Sequence, residues 1–393
     1  MKVLHVLYTY LPDVTGSSIR SEGILKGQIS NGIDVVVVTS PFQRGYREDF
    51  DIINDVKVYR TYNNNEDLEA SEKKKNIKNR IKKLISILGF SIKVYKIAKR
   101  ENVDFIHAHS MFFCGLSAFV CSKILKIGFV YEYRSIWEER FDSVKFIDKL
   151  QIKIIRFLET LSMRLADKVV VLNEGLRKNV IDRGVLPDKV VVVPNAVSDE
   201  LFLEAKSISF PKTIKSFGYV GNFSHIEGLD LLLKAFLDAF PRNDFSDCKL
   251  TFHGKGPYLN DLKELIDKAD DGRISIAGPF ERGDIIDVYK SLDCVVIPRR
   301  KLKICDVVTP LKPLEAMVFG RLVIGSNCGG IVEVCSSERN AVFFEADSIK
   351  SLSSSMRKQY ENFNLSIAKN GRDFVESNRN WSDVAKLYFD VYQ

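Results

Sequence analysis

Short apolar runs alternate with helix-length stretches along almost the whole chain, and that alternation restricts the fold more than any other feature. Runs rich in Val, Ile and aromatic residues at 3–8, 34–39, 56–61, 104–107, 129–131, 168–172 and 190–193 read as strands, most followed by apolar residues at helical spacing. Strands joined by crossover helices pair in parallel, and a parallel sheet is covered on both faces. The rhythm pauses across a polar, strand-poor stretch at 198–215. It restarts with runs at 217–221, 249–253, 274–277, 294–298, 322–325 and 341–344. The chain is thus expected to be α/β, with two Rossmann-like, doubly wound domains at 1–197 and 216–375 joined by a linker at 198–215. Residues 376–393 form a C-terminal helix, with Val384, Leu387, Tyr388 and Val391 at helical spacing.

The bulk properties agree with that division. A length of 393 residues suits two domains of ordinary size. With 45% hydrophobic and 28% charged residues, the composition is that of a globular protein. No stretch reaches the roughly 18 apolar residues of a membrane span, and the N-terminus carries no small-residue cleavage site, so a cytoplasmic location is expected. Seven cysteines are scattered without a C-x-x-C pair and read as reduced thiols, not a zinc site.

In open parallel sheets ligands gather beyond the carboxyl ends of the strands, so the loops there hold the candidate chemistry. If the two sheets face one another, the ligand lies in a cleft between domains. The first such loop, PDVTGSSIR, offers Gly16 and the following NH groups to an anion, with Arg20 one turn on; it also reads as a plain helix cap by Thr15 or Ser17. It is neither a Walker loop nor G-x-G-x-x-G. His107 and His109 end a strand on one side of the sheet. A chelating pair is conceivable there, but no third ligand stands at a suitable spacing, so no metal is expected. The segment YEYRSIWEER places Glu132, Arg134 and Trp137 in succession, suiting sugar hydroxyls, an anion and an apolar face; it also reads as an ion-paired helix start.

The densest loop chemistry lies at 299–333. Arg299, Arg300, Lys301, Lys303 and Lys312 make a cationic pocket suited to a diphosphate, with Asp306 among them. Pro310 and Pro313 fix a helix entrance in TPLKPLEAM, Glu315 stands in its first turn, and Gly329 and Gly330 open another helix. A separate stretch, 73–100, carries eleven Lys or Arg and no acidic residue beside an apolar stripe. It reads as a cationic amphipathic helix, either a domain helix with solvated lysines or a contact for an anionic membrane surface. No reader motif supports nucleic acid as a partner.

Taken in order, YLPDVTGSSIRSEGIL, DFIHAHS, ADKVVVLNEGLRKNVIDRG, GYVGNFSHIEGLDLLLKAF, FHGKGP and TPLKPLEAMVFGRLVIGSNCGGIVEV make the chain resemble the family 4 glycosyltransferases of the GT-B fold over nearly its whole length. It is most similar to the subgroup of bacterial exopolysaccharide and surface-glycan loci. The resemblance implies retaining, metal-independent transfer of a sugar from a nucleotide-sugar donor on the C-terminal domain to a glycan or lipid-linked acceptor on the N-terminal domain, without a cofactor. It also implies that the C-terminal helix crosses back to the first domain. By the same likeness Glu315 holds the donor ribose, backbone around Pro310, Leu311 and Lys312 holds the distal phosphate, Gly16 approaches that phosphate, and His109 touches the transferred sugar. Gly221, Gly254 and Gly256 border the nucleotide.

Two departures stand out. The family's first glutamate, eight positions before Glu315, is replaced by Val307, with Asp306 as a neighbouring substitute. The family's Arg and Lys after the first C-domain strand are replaced by Asn222 and Glu227, so Arg299, Lys303 or Lys312 must supply the charge. A non-catalytic nucleotide-sugar or glycan-binding partner of a synthase, or a sugar-nucleotide epimerase of the same fold, stays open as an alternative. Donor base, sugar, acceptor and linkage are not written in these motifs.

Overall fold

The computed structural model describes residues 1–43, 49–62, 77–136, 139 and 146–393, with side chains left undescribed at 77–84 and 146–148. The chain forms two compact units, one of residues 1–194 and 382–393, the other of residues 195–381.

The first unit is an eight-stranded sheet in the order β3-β4-β2-β1-β5-β6-β7-β8. Its strands are β1 (Lys2–Leu7), β2 (Asp34–Thr39), β3 (Phe50–Ile53), β4 (Val56–Arg60), β5 (Phe105–His109), β6 (Gly128–Tyr133), β7 (Lys168–Val171) and β8 (Val190–Val192). All neighbours pair in parallel except β3 with β4. Central strands such as β1 and β2 are apolar at nearly every position because helices cover both of their faces. The sequence reading omits β3, an edge strand with no fully buried residue whose FDII carries no alternating signal.

The second unit is a six-stranded, wholly parallel sheet in the order β11-β10-β9-β12-β13-β14. Its strands are β9 (Ser216–Asn222), β10 (Lys249–Lys255), β11 (Ile274–Gly278), β12 (Cys294–Ile297), β13 (Leu322–Ser326) and β14 (Val342–Phe344). Successive side chains feed two cores on opposite faces. Phe217, Tyr219, Cys294, Val296, Leu322 and Ile324 join one cluster, while Val220, Val295, Ile297 and Val323 join the other. A period of two with both sides buried explains why these strands read as continuous apolar runs.

Two boundaries differ from the sequence reading. Residues 198–215 are not a bare linker: Ser198 caps the helix Asp199–Ala205, and Ala205, Ile208 and Ile214 are buried in the cores of the second unit. The C-terminal segment that clusters with the first unit begins at residue 382, while the helix Leu365–Asn378 belongs to the second. All seven cysteines are free and buried. No helix among the described residues is long and apolar enough to cross a membrane.

Candidate active site

The second unit gathers its chemistry beyond the carboxyl ends of β9, β10 and β12. β9 and β10 approach so closely at their ends that a Cβ on Gly254 would sit 1.8 Å from the Gly221 carbonyl oxygen, and Gly254 has φ +144°, a conformation L side chains rarely adopt. A Cβ on Gly221 would meet the Lys312 side chain at 2.3 Å, so these glycines make room for that lysine. Lys312 begins the helix Lys312–Val318, with Pro313 in its first turn as the sequence suggests. Its Nζ lies 4.5 Å from the centre of the Tyr219 ring and donates to the Tyr219 hydroxyl, which in turn donates to the Asn222 carbonyl at 2.8 Å.

Glu227 decides the electrostatics. It is 5% exposed, and its carboxylate pairs with Lys312 Nζ at 2.9 Å and with the Arg299 guanidinium at 3.2 Å. Arg299 also donates to the Val308 carbonyl at 3.0 Å. Burial alone pushes the Glu227 carboxyl up, but the two cations overcome that and hold it at about 2. Burial pulls the Lys312 ammonium down, and the neighbouring Arg299 charge adds to that, against the pull of Glu227. Arg299 and Lys312 are therefore not a bare cationic pocket: two cations against one carboxylate leave a net charge of +1.

Glu315 differs from Glu227 in making no ion pair among the described residues, with Lys312 and Arg282 acting on it only at longer range. One carboxylate oxygen accepts from the Tyr289 hydroxyl at 3.1 Å; the other has no protein hydrogen-bond partner among the described residues. Burial pushes its carboxyl up. Tyr289 is fixed by stacking on Phe319, with ring centroids 4.8 Å apart. Such a half-buried oxygen suits a neutral hydroxyl donor.

The other residues singled out from the sequence divide. Asp306 is not an open substitute for a carboxylate at Val307: it is exposed, and Oδ1 accepts from the Gly329 NH at 3.0 Å. The pair Gly329 and Gly330 serves close packing, since a Cβ on Gly330 would lie 2.4 Å from the Val308 carbonyl oxygen. Lys301 and Lys303 are exposed, and Arg300 pairs with Asp230 at 2.6 Å. Pro310 is buried and Leu311 precedes the helix without a side-chain cap. Asn222 is exposed at the end of β9, and Gly256 follows β10.

In the first unit the residues expected to meet an acceptor are instead locked to one another. Glu132 is fully buried, with Oε1 accepting from Arg20 Nε at 2.9 Å and Arg134 Nε at 2.7 Å, and Oε2 accepting from the Tyr388 hydroxyl at 2.8 Å. Burial pushes its carboxyl up, but Arg134 and Arg20 hold it well below the usual carboxylate range. Arg20 donates further to the carbonyls of Pro194 and Val193, and Arg134 to the Ser17 carbonyl and the Ser21 hydroxyl. Glu132, Arg134 and Arg20 thus form a buried ionic centre, not an open ligand set. Gly16 has open space where a Cβ would stand, while Thr15 caps its helix in a capping box with Ser18. Trp137 lies outside the described residues.

A third histidine corrects the expectation that His107 and His109 have no companion: His5, on the adjacent strand β1, joins them in one buried cluster. Hydrogen-bond logic fixes every proton in it. Arg134 can only donate, so His109 Nδ1 accepts and its proton sits on Nε2, facing His5 Nδ1 at 2.9 Å. His5 Nε2 then donates to Gln28 Oε1 at 2.9 Å, Gln28 Nε2 donates to the Tyr392 hydroxyl at 2.9 Å, and that hydroxyl donates to His107 Nδ1 at 2.7 Å. His107 Nε2 is left 3.4 Å from Glu132 Oε2, without hydrogen-bond geometry. Burial lowers all three imidazoles, consistent with neutral rings. With Arg20 and Arg134 on the same carboxylate, a metal cation would meet two guanidinium groups, so the cluster fits a proton-ordered core better than a metal centre. His109 has both ring nitrogens occupied and 2% exposure, so its side chain is not presented to a sugar here.

Sequence reasoning missed Tyr289, Tyr219 and the counter-ion role of Glu227. Tyr289 has no motif around it, whereas the replacement of a cation by Glu227 beside Gly228 was a visible signal.

Comparison with known proteins agrees with this architecture. The Glycosyltransferase Family 4 profile matches residues 14–201, and the profile described as Glycosyl transferases group 1 matches residues 214–362. An uncharacterised glycosyltransferase of Methanocaldococcus jannaschii is 24% identical over 419 residues, covering 100% of this chain and 98% of its own. The Escherichia coli UDP-Gal:alpha-D-GlcNAc-diphosphoundecaprenol alpha-1,3-galactosyltransferase is 24% identical over 325 residues, covering 78% of this chain and 81% of its own. Sucrose-phosphate synthase from Thermosynechococcus elongatus shares the fold, with a TM-score of 0.76 at 16% identity over 100% of this chain and 98% of that one. With its two parallel α/β units and both profiles in register, the chain belongs to the family 4 glycosyltransferases of the GT-B fold.

Proposed function

We propose that this glycosyltransferase moves a sugar, with retention at the anomeric carbon, from a nucleoside-diphosphate donor on the C-terminal unit to a lipid-linked glycan acceptor on the N-terminal unit. The reading places it in bacterial surface-polysaccharide synthesis, at the inner face of the plasma membrane. The observation that carries it is Glu315, whose one oxygen is fixed by Tyr289 while the other is left for the donor ribose hydroxyls. The name of the Escherichia coli relative, with its UDP-sugar donor and diphosphoundecaprenol acceptor, supports the substrate classes.

The family's sugar-contacting glutamate is Val307 here, and the chemistry in this reading follows a same-face route with no covalent intermediate on a carboxylate. The acceptor hydroxyl oxygen bonds to the anomeric carbon as the carbon–phosphate oxygen bond breaks. The acceptor proton passes to the leaving phosphate. Lys312 and Arg299 offset the charge that grows on that phosphate, with Glu227 holding both in place. No metal ion takes part in this reading, and His109 stays within the buried histidine cluster of the N-terminal unit.

Glu315→Ala is expected to abolish transfer and weaken binding of uridine diphosphate by about tenfold, with circular dichroism unchanged. Lys312→Ala is expected to lower turnover by about 100-fold, the effect of losing one charge-stabilising donor. Full activity in both variants would sink the site. Donor turnover by the purified protein separates an enzyme from a binding partner, and conversion of the donor with no acceptor present would identify an epimerase.

A further inference from the structure

The helices Ile77–Glu101, Phe112–Leu125 and Phe146–Leu165 pack side by side in the first unit, the middle one touching both others. Each buries one side toward the sheet, and the opposite side of such a helix is ordinarily polar. Here it is not. Ile85, Leu88 and Ile92 are exposed on the first helix, at i, i+3 and i+7. Val120 and Ile124 are exposed on the second, at i and i+4. Leu150, Ile154 and Phe157 are exposed on the third, with Phe157 at 64%. Single exposed apolar side chains are commonplace, but stripes on three adjacent helices form a patch.

The exposed charges described on these helices are of one sign. Lys93, Lys96 and Lys99 are exposed on the first helix, Lys123 on the second with Lys126 just beyond it, and Lys149, Lys153 and Arg156 on the third. Among the described side chains of these helices only Glu101 and Glu159 are acidic, and both are turned inward. Glu101 takes Lys2 at 2.8 Å and the Tyr59 hydroxyl, while Glu159 takes the Phe112 NH at 2.8 Å and the Tyr131 hydroxyl.

We infer that this three-helix face docks on an anionic lipid bilayer. The apolar stripes enter the headgroup boundary, and the lysines and Arg156 contact lipid phosphates. Charge complementarity selects that occupant: a second copy meeting the same face would set cation against cation, which disfavours self-association. The surface is larger than the basic stretch at 73–100, since two of its helices lie outside that stretch. The inference deepens the membrane-side reading above, yet its test does not use sugar transfer.

Flotation of the full-length protein with vesicles decides it. Vesicles of phosphatidylcholine with roughly one-third phosphatidylglycerol are expected to carry the protein at least about tenfold more strongly than phosphatidylcholine alone, and molar salt to reverse the difference. Ile124→Ser and Phe157→Ser, which touch neither the basic stretch nor the site of the second unit, are each expected to weaken partitioning by about tenfold. Equal binding to both vesicle types, absence of binding, or unchanged partitioning of both variants would overturn the docking face, as would a dimer that Phe157→Ser dissolves. A thermal shift with uridine diphosphate on the same samples separates failures. Stabilisation without vesicle binding would leave the donor reading standing, and vesicle binding without stabilisation would leave the docking face.

Discussion

Glu227 shows how one side chain sets the balance of a site. Its carboxyl titrates at about 2 in the folded protein against an ordinary value of 4.5. Folding therefore disfavours its protonation, so its contribution is complete above about pH 4.5 and is lost as the pH falls toward 2. Glu227→Gln is expected to cost roughly 3–5 kcal/mol near neutral pH, because Arg299 and Lys312 stay buried without their counter-ion. Urea unfolding between pH 5 and 2 checks it: the wild-type curve should fall more steeply with acid than that of the variant. Anion binding moves the other way. Inorganic pyrophosphate should raise the melting temperature of Glu227→Gln more than that of the wild type, and the reverse ranking would mean that Glu227 positions the cations more than it competes for them. Glu315 was legible because its motif fixes it in a helix start. Its anchor Tyr289 was not, since only the folded chain brings together residues 26 positions apart.

At the level of elements, strands announced themselves wherever both faces are buried. β9, β12 and β13 send successive residues into opposite cores, and a continuous apolar run is the local trace of that. β3 has no such trace, being an edge strand paired on one side. The joint between β9 and β10 rests on Gly254, where backbone meets backbone. Gly254→Ala is expected to cost at least about 2 kcal/mol in urea unfolding, from the positive φ and the contact with the Gly221 carbonyl. A loss below about half a kilocalorie would show that the strand ends part without cost.

For the whole molecule, the last twelve residues are structural members of the N-terminal unit. Tyr388 completes the hydrogen bonding of Glu132, and Tyr392 links Gln28 to His107. Tyr392→Phe is expected to leave His107 Nδ1 without its donor and to cost about 1–3 kcal/mol. Ending the chain at Trp381 should loosen the N-terminal unit more severely, because a buried carboxylate loses a partner. Hydrogen exchange read by peptide distinguishes the two units: protection should fall in β1, β5 and β6 and stay in β9 to β13. Equal loss in both would contradict this division of roles.

Periodicity is written locally, so the α/β class and the two sheets could be read from the chain before it folds. Pairing of charge is written nowhere locally. Glu227 finds Arg299 72 positions away, Glu132 finds Arg20 112 positions away, and Tyr388 reaches Glu132 across 256. Crossover connections decide which side chains meet, and Coulomb attraction and desolvation act through space once they do. Only the tertiary structure could turn a supposed acceptor site into a buried ionic centre and a cationic pocket into a neutralised pair with one charge to spare.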